Sequence, residues 1–444
     1  MHPRLVPLFA LLLSGCTAEQ APSDADWHRH AAPIVMGSCA GCHTDGGVGP
    51  MRLDSYDAAA PLASWIADHA ARRTMPPWGL IDDGTCDQAR PFHGDPSLTE
   101  LEIDTLRAWA DNGAPEGDPA RAAAIREPDS FALTNPTARI APAGTYTVAP
   151  TGDDFRCVVY DPQLTERVWL TGMEVVPDAR DVVHHAVVWL DPDGQAAALA
   201  DSDGGYPCFG SGGIAGSKLI GGWIPASGAV EYPADSGLEA PAGALVVVQY
   251  HYFGNGASTP DASSLDLRWT ETQPQMNVVM SLEGNAGSEA AGLMPGEDDV
   301  GGVQFRIPAG KSSHTEVIRW PVPAGIPEVG LFLVAPHMHL AGVDMKVRIE
   351  RTDAGQDRDD ECLVHAPAYD FNWQRLYRYD TPIAETPKVQ GGDVIVLECT
   401  YDNTTSNPRI REALIQAGLS EPVDIGLGEG SLDEMCLAVL GVAY

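Results

Sequence analysis

The pattern of apolar and polar positions divides the chain into a short helical part and a long β-rich part. A helix is predicted where apolar residues recur at helical spacing, at Ile103, Leu106 and Trp109. Thr99 and Glu102 have the spacing of a capping box at its start. After about residue 130 the helical periodicity nearly vanishes. Short runs of Val, Tyr, Trp and Ile then alternate with clusters of Gly, Pro and Asp, a pattern typical of antiparallel β-sandwiches.

The length of the β-rich part predicts more than one domain. A sandwich domain takes roughly 100 residues, and about three times that length follows the helical part. We therefore expect a multidomain chain in which a small α-helical domain precedes two antiparallel, jelly-roll-like β-sandwiches. The predicted segments are a signal peptide at 1–16, a tether at 17–26, a helical domain at 27–118, a linker at 119–130, and sandwiches at 131–275 and 276–444.

The N-terminus predicts export from the cytoplasm. Arg4 precedes the apolar run Leu5–Leu13, which is too short to span a bilayer and fits the apolar region of a signal peptide. The run ends in a sequence that looks like a bacterial lipobox, which would make Cys16 the lipidated first residue of the mature chain. An ordinary signal peptide cut nearby is the alternative. We expect an exported bacterial lipoprotein in the periplasm or outer membrane, attached to the membrane through its lipid.

Charge and cysteine content narrow the class of protein. The formal net charge is −35, so the phosphates of nucleic acid would be repelled, and no nucleic-acid partner is expected. A high surface charge suits a secreted protein because it favours solubility. The chain has nine cysteines, and an even number remains once Cys16, Cys39 and Cys42 are set aside, as expected for disulfides in an oxidising compartment.

Cys39, Cys42 and His43 form a CxxCH motif. Two thiols at this spacing form thioethers with the haem vinyl groups, and the adjacent histidine becomes an axial iron ligand. The histidine directly after the second cysteine, and the lack of another CxxC in the sequence, argue against a disulfide or a zinc half-site. We predict one covalently attached haem c in a domain that resembles bacterial c-type cytochromes. Met75, in a proline-rich loop, is the best candidate for the second axial ligand, and His69 is the alternative.

Two histidines and a methionine in the second predicted sandwich suggest a metal site. His337 and His339 end an apolar run and would project from the same face of a strand. Copper, zinc, iron and nickel all accept imidazole, and two strand histidines without a metal fit the pattern equally well. Met435 is a candidate third ligand. A buried methionine is usually core filler, but a thioether beside two imidazoles favours copper.

The first predicted sandwich carries three more candidate ligands, His184, His185 and His251. Neighbours on a regular strand point to opposite faces, so His184 and His185 can share one metal only if the backbone bulges or the strand ends there. His251 alone would be interpreted as a core histidine. Three imidazoles in one domain favour a three-nitrogen site, which copper or zinc could occupy. The remaining histidines, including His314 and His365, are expected in the signal, the tether or the surface.

In this order, across roughly 150–444, these motifs resemble the copper type II, ascorbate-dependent monooxygenases, such as peptidylglycine α-hydroxylating monooxygenase and dopamine β-monooxygenase. The stretches that carry the resemblance are VVHHAVVW, VVQYHYFG, PHMHLAG, ECTYDNT and DEMC. The resemblance implies two β-sandwiches whose two coppers face each other across a solvent cleft. The implied ligands are His184, His185 and His251 for an electron-transfer copper, and His337, His339 and Met435 for a catalytic copper that binds O2.

The remaining cysteines are expected to form three disulfides. The resemblance implies a bond between Cys399 and Cys436, in the stretches ECTYDNT and DEMC. Two further pairs are expected, one inside the first sandwich and one that could join the haem and copper domains. These pairs are Cys157 with Cys208 and Cys86 with Cys362.

The chain departs from the peptidylglycine enzymes where they hold the substrate carboxylate. Those enzymes use Arg, Asn and Tyr at positions that are Ala335, Leu437 and Val439 here. Apolar side chains cannot pair a buried carboxylate without a large desolvation cost. A peptidylglycine substrate is therefore not expected, and the sequence leaves the identity of the substrate open.

We predict a copper-dependent monooxygenase that hydroxylates a C–H bond of a small organic substrate with O2. Electrons are expected to pass through the fused haem c to the three-histidine copper and on to the copper with two histidines and one methionine. The expected partners are O2, a small-molecule substrate and an external electron donor, either a periplasmic cytochrome or an ascorbate-like reductant. The alternatives are a non-catalytic electron-transfer lipoprotein with copper and haem, and a zinc site at the three histidines.

Overall fold

The computed structural model divides the chain into two compact units, Met1–Pro76 with Pro96–Pro128, and Pro77–Asp95 with Asp129–Tyr444. The predicted signal peptide and Cys16 lie outside the described residues. Within the described part, no helix has both the length and the apolar character needed to span a bilayer. The structure describes residues 20–45, 47, 49–81, 84–86, 90–125, 132–208, 212–225, 227–286, 288, 291–352, 358–428, 430 and 432–444.

The first unit is helical, as the sequence predicts. The Thr99 hydroxyl accepts a hydrogen bond from the Glu102 N–H at 3.2 Å, and the Glu102 carboxylate accepts one from the Thr99 N–H at 2.8 Å, which completes the capping box. Ile103, Leu106 and Trp109 are buried in the core of this unit. The helices are α1 (Ala32–Ser38), α2 (Tyr56–Ala59), α3 (Ala63–Ala71) and α4 (Glu100–Asp111), with a π-helical turn at Trp27–Ala31 and 3-10 turns at Ala60–Leu62 and Pro119–Arg121.

The second unit is formed mainly by β-strands. Its first twelve strands are β1 (Ala138–Ile140), β2 (Tyr146–Val148), β3 (Asp153–Tyr160), β4 (Val168–Val176), β5 (Val183–Asp191), β6 (Gly205–Pro207), β7 (Lys218–Trp223), β8 (Val230–Glu231), β9 (Ser236–Ala240), β10 (Leu245–Phe253), β11 (Thr259–Asp261) and β12 (Ser264–Thr270). The later strands are β13 (Met276–Gly284), β14 (Arg306–Ile307), β15 (His314–Pro321), β16 (Val329–His337), β17 (Gly342–Glu350), β18 (Glu361–Ala366), β19 (Tyr377–Arg378), β20 (Lys388–Val389), β21 (Val394–Tyr401), β22 (Ile425–Gly426) and β23 (Leu437–Ala443). Helix α5 (Pro408–Gln416) lies between β21 and β22, and 3-10 turns occur at Gln195–Ala198 and Phe371–Trp373.

These strands form two sandwiches that share one sheet. A five-stranded sheet in the order β6-β3-β10-β5-β7 belongs to the first sandwich, and a four-stranded sheet in the order β15-β21-β17-β18 belongs to the second. The layer opposite both is one sheet in the order β1-β12-β4-β9-β13-β23-β16-β19. The junction is a parallel pair, in which Met276 of β13 is in register with Ser236 of β9. Backbone hydrogen bonding therefore connects the two sandwiches directly.

Two strands that carry candidate ligands are buried on both faces. Eight of the nine residues of β10 are buried, and so are eight of the nine residues of β16. A strand covered on both faces gives a nearly continuous apolar run in sequence, whereas one exposed face gives alternation. The outer faces of the two sandwiches are thus covered where these strands lie.

The segment Pro77–Asp95 packs with the second unit although it lies within the helical domain predicted for 27–118. The ring of Trp78 meets that of Tyr377 edge-on at a centroid distance of 5.0 Å. The ring of Phe92 stacks on Tyr379 at 4.9 Å. These aromatic contacts explain why the segment leaves the helical unit.

The structure has the three disulfides expected from the sequence. Cys157–Cys208 lies in the first sandwich, and Cys399–Cys436 joins β21 to the residue before β23. The Cys86–Cys362 bond ties the segment Pro77–Asp95 to β18 within the second unit. It therefore does not join the two units, contrary to the expectation that it could connect the haem and copper domains.

Two histidines expected in the signal, the tether or the surface are buried instead. His365 is within hydrogen-bond distance of Asp344. Nδ1 of His314 lies 3.1 Å from Asp298, and Nε2 lies 2.8 Å from Glu316, itself buried. Burial opposes protonation of His314, but the hydrogen bonds and charges of Glu316 and Asp298 outweigh it and raise its pKa.

His314 should make the stability of the second unit depend on pH. The pKa of His314 is raised in the folded state. Its contribution to the free energy of unfolding is therefore fully present below the unfolded pKa of about 6.5, and it is lost as pH rises through the folded pKa. His314→Leu should lower the free energy of unfolding by about 3 kcal/mol at pH 6, because Glu316 is left buried without its partner, and by less at pH 8. Urea unfolding at both pH values measures this difference. His93→Leu, at an exposed histidine, is the control, and an equal loss at both pH values would contradict the assignment.

Candidate metal centres

A β-bulge brings the adjacent residues His184 and His185 to one place. On β10, His251 is in register with His185 of β5, but the next residue, Tyr252, is in register with Val183. His184 is therefore the extra residue of the bulge. The sequence required such an irregularity if both side chains were to reach one metal, and the structure has it.

The Nδ1 atoms of the three histidines converge. His184 Nδ1 lies 3.1 Å from His185 Nδ1, and His251 Nδ1 lies 3.4 Å from His185 Nδ1. A metal bound at 2.0–2.1 Å to three nitrogens with tetrahedral or trigonal angles would separate them by about 3.3 to 3.6 Å. Converging lone pairs repel one another unless a proton or a cation lies between them. The residues therefore fit a three-coordinate imidazole site for a cation.

The other ring nitrogen is occupied in two of these histidines. His251 Nε2 lies 2.8 Å from the Asp153 carboxylate, and His184 Nε2 lies 3.4 Å from the Asn372 side-chain oxygen. When Nε2–H donates to these acceptors, the lone pair remains on Nδ1, the atom that faces the other imidazoles. These hydrogen bonds also fix the orientation of each ring.

Burial lowers the pKa of four of the candidate ligand histidines. Burial, followed by the nearby His251, lowers the pKa of His184 to about 4. Burial, followed by His337, lowers the pKa of His339 to about 3. Burial also lowers the pKa of His337, and it places the pKa of His185 well below its ordinary value. At pH 7 these four imidazoles can bind a metal without first losing a proton.

In His337 and His339 it is Nδ1 that has a hydrogen-bond partner, the reverse of the arrangement in His184 and His251. His337 Nδ1 lies 2.5 Å from the Gln374 side-chain oxygen, and His339 Nδ1 lies 3.0 Å from the Asp433 backbone carbonyl. Donation from Nδ1 leaves Nε2 as the metal-binding atom. The two rings are 5.2 Å apart between centroids. Met435 is buried and lines the same cavity as both rings, and its role as the third ligand stays a prediction.

A fully buried carboxylate ties the two ligand-bearing segments to each other. One oxygen of Glu434 accepts a hydrogen bond from the His339 N–H at 2.7 Å and from the Met435 N–H at 3.2 Å. The other oxygen accepts one from the Ala341 N–H at 2.7 Å. Burial raises the pKa of Glu434 to about 8, although these N–H groups favour its ionised form. Glu434 stands beside Met435 in the stretch DEMC, but the sequence analysis did not assign it a role.

The segment from Phe371 to Gln374 contacts both histidine sets. Asn372 is hydrogen-bonded to His184, and Gln374 to His337. The ring of Phe371 lies 4.8 Å from that of His184 and 5.7 Å from that of His339. The sequence analysis missed these residues because an amide that reaches a distant imidazole leaves no periodic signal in the chain.

Both histidine sets border one cavity of about 170 Å³. The rings of His185 and His337 are 6.4 Å apart between centroids. The two histidine sets therefore face one shared cavity at short range, and a solvent cleft between two bound coppers stays a prediction. The shared sheet holds the sandwiches together, and Phe371 fills space between the two histidine sets.

The CxxCH residues of the helical unit follow α1 directly. Cys39 and Cys42 form no disulfide, and burial, followed by the neighbouring Cys42, raises the pKa of Cys39 to about 12. His43 is buried, and its Nδ1 lies 3.0 Å from the Met51 backbone carbonyl. This contact leaves Nε2 available as an iron ligand, which fits the predicted haem attachment.

The second axial ligand of a haem remains a prediction. Met75 is half-buried and lies four residues beyond the end of α3. The alternative, His69, lies 2.7 Å through Nδ1 from the Thr74 hydroxyl, and its ring packs 4.0 Å from that of Trp65. Neither arrangement assigns the axial role to one of the two.

Comparison with known proteins finds a family match within the second sandwich. Among solved structures, the chain shows a weak likeness to one titled "Crystal structure of the major capsid protein P2 from Bacteriophage PM2". The match is 8% identical in sequence, covers 69% of this chain and 96% of that chain, and has a TM-score of 0.25, which is too low to carry an argument. Residues 313–440 match the model of a family described as "Copper type II ascorbate-dependent monooxygenase, C-terminal domain". That range contains His337, His339 and Met435, and members of the family use two copper ions. Residues 313–440 are therefore similar to the C-terminal domain of the copper type II ascorbate-dependent monooxygenases.

Proposed function

We propose that this protein is a copper-dependent monooxygenase that hydroxylates a C–H bond of a small organic molecule with O2. The observation that carries the proposal is that two sets of candidate ligands, with imidazole rings oriented by hydrogen bonds, border one cavity. In the reaction a C–H bond breaks and a C–O bond forms, one oxygen atom enters the product and the other leaves as water. The balance requires two electrons and two protons, and an external one-electron donor supplies the electrons.

The side chains of each set suit copper. Three imidazoles, or two imidazoles and a thioether, bring no negative charge to stabilise the higher oxidation state, and soft sulfur favours Cu(I). Bound copper would supply one-electron redox chemistry and the activation of O2. The chain itself holds the ligand nitrogens in place through Asp153, Asn372 and Gln374. The apolar walls of the cavity limit the access of water to the reacting groups.

The helical unit is proposed to carry haem c on Cys39 and Cys42, with His43 as one axial ligand and Met75 as the other. Haem would pass single electrons to the three-histidine copper, which would pass them to the second copper. A tethered donor acts at an effective concentration on the order of millimolar for a short linker. We further propose that the protein is exported, anchored through a lipid on Cys16, and reduced by a periplasmic cytochrome or an ascorbate-like donor.

Metal analysis of protein matured in the periplasm should find two coppers and one covalent haem per chain. His251→Ala should remove one copper, because its Nδ1 faces the other two imidazoles. His337→Ala should remove the other, and His93→Ala, at an exposed histidine, should remove neither. Zinc in place of copper, or a haem that dissociates on denaturation, would contradict the proposal.

Glu434→Gln should weaken copper binding at the second site by about 10- to 100-fold, because a side-chain amide cannot accept hydrogen bonds at both of its ends. A competition titration with a Cu(I) chelator measures the affinity, and X-ray absorption reports the sulfur ligand. Glu398→Gln, at a half-buried carboxylate paired with Arg348, is the control. Unchanged affinity and an intact sulfur signal would exclude a positioning role for Glu434.

Electron delivery is tested by anaerobic stopped-flow spectroscopy. When the haem is reduced in a chain that carries Cu(II), it should reoxidise at a rate independent of protein concentration, because donor and acceptor are covalently linked. His251→Ala should abolish this phase. Haem that stays reduced beside oxidised copper would show that an external donor serves the copper directly. O2 consumption with reductant separates an enzyme from a protein that only carries electrons.

A further inference from the structure

We infer that the cavity between the two sandwiches binds an uncharged, mainly hydrocarbon molecule about the size of one six-membered ring. That this molecule is the substrate rests on the function proposed above. The chemistry of the cavity itself is a property of its walls and can be tested in protein without copper.

Both sandwiches contribute apolar side chains from the outer faces of their sheets. From the first, β5, which carries His185, also places Val187 and Trp189 on the cavity, with Trp223 of β7 beside them. From the second, Met280 and Leu282 of β13 line the opposite side. Apolar walls of this kind favour a ligand that leaves its own apolar surface buried. Further apolar lining residues are Leu219, Ile224, Ala335, Leu376, Leu437 and Val439.

The residues that replace the family's carboxylate clamp lie on these walls. Ala335 of β16 is in register with Val439 of β23, and His337 is in register with Leu437. All three replaced positions therefore face the cavity beside a candidate ligand. A ligand carboxylate at this place would meet methyl groups where a charged partner would be needed, and the unpaired charge would cost several kcal/mol.

The charged side chain on the cavity wall is already engaged. Among the described residues that line the cavity there is no Asp, Glu or Lys, and Arg375 is the one arginine. Its Nε and Nη2 donate to the Pro77 backbone carbonyl at 3.1 and 2.9 Å, and its guanidinium lies 5.3 Å from the Trp78 ring centroid. The amide of Gln374 is likewise occupied by His337 and by the Phe371 carbonyl. Neither group is free to pair with a charged ligand.

The volume sets the size of the ligand. The cavity measures about 170 Å³. An engineered apolar cavity of about 150 Å³ in another protein stays dry and binds benzene. A single ring with one short alkyl substituent fits this space, and an alkyl substituent supplies the C–H bond that the proposed reaction requires.

The test compares toluene, which is uncharged, with benzylamine, which is positively charged, and benzoate, which is negatively charged. All three have one six-membered ring. Binding to the full-length, copper-free protein is measured by calorimetry and by fluorescence of Trp189 and Trp223. Toluene should bind at least tenfold more tightly than either charged probe. Equal or tighter binding of benzylamine or benzoate, or no binding of toluene, would overturn the inference.

A charge placed on the wall should reverse this preference. Val439→Asp should weaken toluene binding at least tenfold and strengthen benzylamine binding. Val279→Asp is the matched control, because Val279 is exposed and points away from the face that carries Met280. Val439→Thr keeps the shape of valine and serves as the test if Val439→Asp does not fold. This variant should bind toluene about threefold more weakly. Unchanged toluene affinity in either folded Val439 variant would place the ligand elsewhere.

Turnover separates this inference from the proposed function. Copper-loaded protein with O2 and a one-electron donor should convert toluene to benzyl alcohol. Toluene binding without benzyl alcohol supports the assignment of the cavity and counts against the monooxygenase. Hydroxylation of a charged probe by protein that does not bind toluene supports the monooxygenase and overturns the ligand class.

Discussion

An imidazole has two ring nitrogens, and a hydrogen bond from one of them decides which is left for a metal. His251 gives its Nε2–H to Asp153 and presents Nδ1, whereas His337 gives its Nδ1–H to Gln374 and presents Nε2. His43, in the other unit, follows the second pattern through a backbone carbonyl. Burial makes this choice consequential, because a neutral ring in an apolar site has no water to exchange protons or partners with. The acceptors therefore belong to each candidate site as much as the ligands do.

A second constraint is that the outer face of each sandwich must be covered. Strands β10 and β16 are buried on both faces. On the outer face of β10, Leu245 and Val247 pack within the first sandwich, whereas His251 reaches the cavity that the second sandwich also lines. The shared sheet brings these faces together, and the segment from Phe371 to Gln374 packs between them. The same burial that stabilises this arrangement brings the two histidine sets close to each other. Burial of the facing sides of the two sandwiches thus accounts both for their packing and for the short distance between the two histidine sets.

The sequence predicted features whose signal is local. The capping box at Thr99, the β-rich part and the need for an irregular strand at His184 all follow from neighbouring residues. The ligand acceptors were not predictable in this way, since Asn372 lies 188 residues from His184 and Gln374 lies 37 residues from His337. The closeness of the two histidine sets was not predictable from local signals, because the pairing between β9 and β13 that joins the sandwiches is a non-local property. The packing of the segment Pro77–Asp95 was missed for the same reason, because its aromatic residues carry no sign of which partner they contact.

The three-histidine candidate site depends on one extra residue, His184, in strand β5. The pairing of β10 with β5 is regular up to His251 with His185, and one further pair, Tyr252 with Val183, follows the bulge. Loss of a single residue there would restore unbroken pairing, so the sheet would tolerate the deletion well and the fold would persist. One imidazole would be lost with it, and the cavity would keep its apolar walls. A candidate metal site of this kind can therefore be lost through the deletion of one residue, while the rest of the sheet keeps its pairing.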